Sequence, residues 1–170
     1  MIAIVSACTQ PVRSDLREIR LAVVCLEFPD QPHQLALDEI RHKAIDEVDQ
    51  FYKEMSYGRL SVTGEIFGWY KMPFPLSNFN VVRWASPEQD RMRLTDVALS
   101  LARSYGVITE SFTYTVLALT GVFNAFAKPD RRVTVQSERE AWGTYAHELG
   151  HLLGLPDLYS YDAARAEQMD

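Results

Sequence analysis

Cysteine is almost missing from this chain of 170 residues; only Cys8 and Cys25 occur. Two thiols do not make the disulfide framework of a small secreted scaffold. Cys25 sits inside the apolar run Leu21–Leu26 and reads as a small buried hydrophobe, with a Cys8–Cys25 bridge left open. Positive charge is also short: 17 Lys and Arg face 23 Asp and Glu, a net charge of -6, and no basic stripe is visible. No nucleic-acid partner is expected, because such partners reward clustered Lys and Arg. No apolar run approaches the roughly 20 residues of a membrane helix, so no membrane span is expected. The apolar start Met1–Cys8 lacks basic residues and is shorter than the roughly 15 to 30 residues of a signal peptide. Val5-Ser-Ala-Cys8 resembles a lipoprotein cleavage site only faintly. Repeats and low-complexity tracts are missing too.

What is present suits one domain with a real core: 47% of residues are hydrophobic and 24% charged. Residues 1–18 read as an N-terminal extension and 19–170 as the domain. Ile19–Phe28 has the aliphatic and β-branched content of a buried strand, closed by Pro29-Asp-Gln-Pro32. Leu37, Ile40, Ala44, Val48, Phe51 and Met55 recur at helical steps, and Gly58 follows. Leu60–Tyr70 reads as one or two strands, with bulge points at Gly64 and Gly68. Ser86 is placed as an N-cap, Pro87 as the first helical residue and Gln89 as the third member of a capping box. The apolar stripe of that helix is Leu94, Val97, Ala98, Leu101 and Tyr105, with Gly106 as terminator. Phe112–Leu119 is a strand. Arg132–Gln136 is a short one, expected at a sheet edge because of its charge. A last helix covers about Ala141–Leu153. The order β-α-β-α-β-β-α implies an α/β or α+β domain, a mixed sheet packed by helices.

The last helix carries the chemistry. Its sequence contains His147-Glu148-Leu-Gly-His151. At 100° per residue the two histidines stand about 40° apart, one turn from each other, so both imidazoles reach one ion. Trp142, Tyr145, Leu149, Leu152 and Leu153 gather on the opposite face and anchor the helix. Glu148 lies beside the histidines, close enough to work as a general base without being a ligand. Two neutral imidazoles with a carboxylate are a zinc donor set, and catalytic zinc takes three protein ligands and keeps one position open. Asp157 is the preferred third ligand, because Gly154 can end the helix in a left-handed turn that brings the chain back beneath the ion. Asp162 is the alternative, at the longer spacing some zinc peptidases use. Gly143, Gly150 and Gly154 flank the histidine face, where another segment can come close. A surface helix with two solvated histidines would explain neither the amphipathic phase nor this Gly-turn-Asp sequel. His33 and His42 are expected to be solvated surface residues.

His147-Glu-Leu-Gly-His-Leu-Leu-Gly-Leu-Pro-Asp-Leu-Tyr159 resembles the signature of the immune inhibitor A family of bacterial zinc metallopeptidases. Val24–Asp30, and Phe51–Gly64 continuing to Trp69-Tyr70, are similar to that family's first strand and helix-to-strand segment. The likeness spans most of residues 20–161. It implies a metzincin-like domain, a twisted sheet above a cleft with the zinc helix beneath. It implies His147, His151 and Asp157 as Zn2+ ligands and Glu148 as general base. It also implies that the strand near Arg132–Gln136 aligns a protein or peptide substrate in extended form, and that the protein is secreted. Metzincin-like domains continue to a methionine turn beneath the metal, whereas thirteen residues follow Asp157 here and Met169 is nearly terminal. The expectation is therefore a domain truncated at its C-terminal end. The resulting function is a zinc endopeptidase. The alternatives are a truncated, inactive zinc-binding fragment acting as a binding or scaffold module, and a zinc hydrolase acting on other small amides.

Overall fold

The computed structural model describes residues 17–81 and 86–157. Five strands form one mixed sheet in the order β2-β1-β3-β5-β4. Strand β1 (Arg17–Glu27) is internal, fully buried from Leu21 to Leu26, and parallel to both β2 (Leu60–Lys71) and β3 (Tyr114–Leu119). Strand β5 (Val133–Ser137) continues the parallel set beside β3. The three-residue strand β4 (Phe126–Lys128) closes the edge antiparallel to β5. The continuous aliphatic run of β1 is what a parallel strand covered on both faces requires.

Arg132–Gln136 is thus not an edge. Strand β5 is internal and all five of its residues are buried; the sheet edge on that side is β4. Arg131 and Arg132, whose charge suggested an edge, stand at the strand's entry. The Arg132 guanidinium donates to the carbonyls of Phe112 and Thr113. A strand as short as Phe126-Ala-Lys128 shows too few alternations to be read from periodicity.

Helices cover both faces. On one side α1 (Leu37–Arg41), a π-helical turn (His42–Asp46) and α2 (Glu47–Met55) form one nearly continuous rod that packs Ile40, Ala44, Ile45 and Val48 against Ile19, Leu21 and Val23. Helix α4 (Trp142–Leu152) lies on the same side, toward β5 and β4. On the other side α3 (Glu88–Ser104) packs Leu94, Ala98 and Leu99 against Val24, Leu26, Leu117, Val133 and Val135. It starts at Glu88, with Pro87 as an extended N-cap that makes no side-chain cap bond. Pro87, expected as the first helical residue, stands one position before it, and Glu88 and Asp90 supply the acidic first turn. Tyr105 leaves the stripe and stacks on Tyr70 at 4.2 Å. Gly68 marks the irregularity expected in β2: its φ is +117°, a Cβ there would collide with the Cys25 carbonyl, and the β1–β2 register shifts between Val24 and Leu26. Cys25 is fully buried, as expected, and burial pushes its thiol up to about 12. Cys8 lies outside the described residues. No helix among the described residues is long and apolar enough to cross a membrane.

Candidate metal centre

Helix α4 is fixed on three sides before any functional group is considered. Tyr145, Ala146 and Leu149 are buried in the core beneath it. Tyr52 of α2 donates to the Ala146 carbonyl at 2.8 Å, Tyr114 of β3 to the Leu152 carbonyl at 3.2 Å, and Tyr145 itself to the Ser137 carbonyl at 3.4 Å. The Tyr52 hydroxyl also stands where Gly150 leaves room for it: a Cβ on Gly150 would lie 3.3 Å from that oxygen. Of the three glycines expected to admit a close neighbour, only Gly150 does. Gly143 faces open space. Trp142, expected in the core, is 39% exposed; it is the first helical residue, and its ring lies 5.7 Å from that of Phe51.

The far end of α4 turns as the sequence anticipates. Gly154 has φ +90°, its N–H donates to the His151 carbonyl, and the Leu155 N–H donates to the Gly150 carbonyl, both at 3.0 Å. This paired closure is the Schellman arrangement that a left-handed glycine permits. It reverses the chain so that Pro156 and Asp157 pass beneath the histidines. The turn also orients a ring: Nδ1 of His151 is 2.9 Å from the Leu155 carbonyl. With Nδ1–H donating there, Nε2 is left as the acceptor nitrogen facing away from the turn.

The outcome is a small triangle of donor atoms. His147 Nε2 and His151 Nε2 are 3.1 Å apart. Asp157 Oδ1 lies 3.2 Å from the first and 3.4 Å from the second. Ligand atoms held about 2.0 to 2.1 Å from a tetrahedral zinc stand about 3.3 Å from one another. The triangle therefore has the size of one face of a zinc tetrahedron, and its two-imidazole, one-carboxylate chemistry suits that ion. Among the described residues this is the one group of three such side chains close enough to hold a metal. Asp157 is thus where the preferred reading put it; Asp162 and Met169 lie outside the described residues.

Glu148 is 6% exposed and lines the same cleft as the triangle. Burial pushes its carboxyl up to about 7; neighbouring His151 opposes the shift, while Asp157 and Glu140 add to it. The cleft has a volume of about 850 Å³. Its walls are α4, the turn through Asp157, the segment 124–127 with Pro129, and Arg91 of α3. The rim 124–129 and Arg91 were not legible as site residues. The nearest signal was Pro129, which marks the end of a short extended segment.

The other histidines stand apart from this centre. His42 is mostly exposed, with Nε2 3.1 Å from Glu47. His33 is more ordered than a solvated loop residue: it stacks on Trp69 at 4.9 Å and places Nδ1 2.7 Å from Glu27.

No protein-family profile matches this chain, and no curated protein matches it.

Proposed function

We propose that this protein is a zinc-dependent endopeptidase, with His147, His151 and Asp157 holding Zn2+ and Glu148 as general base. The observation that carries the reading is the triangle of 3.1, 3.2 and 3.4 Å, with a buried carboxylate beside it in an open cleft. Zinc, when bound, lowers the pKa of water and polarises a carbonyl. The chain's own groups do the rest. His151 is held in one tautomer by the Leu155 carbonyl, so its Nε2 lone pair stays directed at the ion. The Glu148 carboxylate takes a proton from the attacking water and returns it to the amine nitrogen of the departing fragment, so the peptide C–N bond breaks with no net proton change. The edge of β4 offers backbone groups to an extended peptide, because among the described residues only β5 pairs with it. In this proposal it takes the substrate-aligning role that the family likeness implied for Arg132–Gln136. Likeness to the immune inhibitor A family, and the secreted habit of that family, belong to the same proposal.

The test begins with metal. Protein purified without chelator is expected to hold about one zinc per chain by elemental analysis. His147→Ala combined with His151→Ala should remove it, and Asp157→Ala should weaken it. Glu148→Ala should keep zinc and fold while peptide hydrolysis falls by on the order of 10² to 10⁴. Stoichiometric zinc in the double histidine variant, or unchanged hydrolysis in Glu148→Ala, would falsify the assignment.

A further inference from the structure

The cleft crosses the sheet edge, and its two ends carry different groups. The donor triangle belongs to α4, on one face of the sheet. Arg91 belongs to α3, packed on the opposite face, and reaches the cleft around β4 with its guanidinium carbon 5.7 Å from the Phe126 ring centre. The Arg91 guanidinium pairs with Glu88 at 3.2 Å. That carboxylate is shared, because Lys128 of β4 also pairs with it. Two cations against one anion leave this end with an excess positive charge. It also has spare donors: Nε of Arg91 and Nδ2 of Asn124 are both buried without a hydrogen-bond partner. Asn124 lines the cleft beside β4. Both atoms are closed to solvent in the unliganded cleft, so an acceptor pairs with them as the Arg91 and Asn124 side chains turn toward it, which relieves the cost of a buried unpaired N–H. Glu140, Glu148 and Asp157 line the α4 end, where the ion is held.

We infer that Arg91 and Asn124 form a carboxylate-recognising subsite on the α3 side of β4, which selects peptides bearing an acidic group there. The inference rests on the peptidase reading of the same cleft. An extended peptide laid along β4 points successive side chains to opposite sheet faces. With the scissile backbone carbonyl at the donor triangle and Glu148, the side chains on one face of the peptide lie over the α4 side and their alternates point to the α3 side, toward Arg91. The planar guanidinium suits a carboxylate better than an amide of equal shape. Two sources supply such a carboxylate, an acidic side chain within the peptide or the peptide's own C-terminus.

The test uses the full chain loaded with zinc and quenched-fluorescence peptides in matched pairs. One set exchanges Glu for Gln at each of three positions on either side of the cleaved bond. A second set compares a free C-terminus with its amide. The Glu peptide is expected to be cleaved about tenfold faster in kcat/KM at one position, or at two positions two residues apart, as loss of a charge-assisted hydrogen bond predicts. Arg91→Gln should collapse that Glu/Gln ratio toward one. Asn124→Ala, which leaves the charge in place, should lower it severalfold and serves if the Arg91 variant does not fold. A preference found only in the second set assigns the subsite to a terminal carboxylate. A ratio near one at every position and in both sets, or a ratio that survives both substitutions, overturns the inference. Binding of the same peptides to Glu148→Ala protein, read by fluorescence anisotropy, separates the two claims. Charge-selective binding without cleavage by the wild-type protein removes the peptidase reading and keeps the subsite. Cleavage without charge preference does the reverse.

Discussion

Strand β5 shows two unlike faces. Val133 and Val135 point to the α3 side, into a core of Leu94, Ala98, Leu117 and Leu119. Thr134 and Gln136 alternate to the α4 side. Both are fully buried, and the Thr134 hydroxyl and both polar atoms of the Gln136 amide lack hydrogen-bond partners. Glu148 is buried on that side as well. One face of the strand thus follows the rule that interiors are apolar, and the other breaks it under the helix that bears the candidate metal ligands. Departures from stability rules are expected where a site is built. Along β5, the α3 face contributes stability and the α4 face gives up part of it.

Substitutions can break or sharpen this contrast. The largest effect is expected on the α3 side. Leu94→Ala removes a fully buried side chain from the apolar core and should cost about 2 to 5 kcal/mol in denaturant unfolding. Its folded fraction should still bind zinc in full, and a loss of zinc per folded chain would mean that the faces are coupled.

On the α4 side the sign should reverse. Gln136→Met keeps the volume and removes two unpaired polar atoms, so unfolding should become harder by about 1 to 3 kcal/mol. A destabilised Gln136→Met would show that the amide is satisfied in solution, and the contrast would fail.

Gly154→Ala probes the turn rather than the core. A left-handed φ of +90° costs a side chain about 1 to 2 kcal/mol. The predicted signature is a modest fall in melting temperature with weaker zinc retention against a chelator, since Asp157 follows this turn. Unchanged zinc retention would detach the ligand from the turn.

The smallest effect lies at the other end of β1. His33, hydrogen-bonded to Glu27, holds that carboxyl below its ordinary value of 4.5. A depressed folded pKa stabilises above the unfolded pKa, and the contribution is lost as pH falls through the folded one. The wild-type protein should therefore lose, relative to Glu27→Gln, a fraction of a kcal/mol between about pH 5 and pH 3, the usual scale for an exposed pair. Parallel pH–stability curves for the two proteins would show that the pair contributes nothing.

Much of the candidate site was legible because it is local. His147, Glu148 and His151 lie within two turns of one helix, so spacing alone brings the imidazoles together. Gly154 announces the reversal that delivers Asp157, because few other residues accept that φ. The burial of β1 was equally plain in its unbroken aliphatic run. Less legible were positions decided by partners. Trp142 shares the helical phase of the core residues but stands at the first turn, where little packs above it. Ser86 and Pro87 fit a capping box in the sequence, yet the helix begins one residue later.

The sequence by itself thus determined a mixed α/β fold, a helix with two histidines and a glutamate in phase, and a turn that can return an aspartate to them. Each of these follows from the 3.6-residue period or from one residue's backbone preference. Only the tertiary structure decided that β5 is internal and β4 the edge, that Gln136 is buried without a partner, and that Arg91 of the opposite face lines the same cleft as Asn124. Strand order and the meeting of distant side chains depend on pairings tens of residues apart. No local period encodes such pairings; they are settled by the burial and backbone hydrogen bonds of the whole sheet.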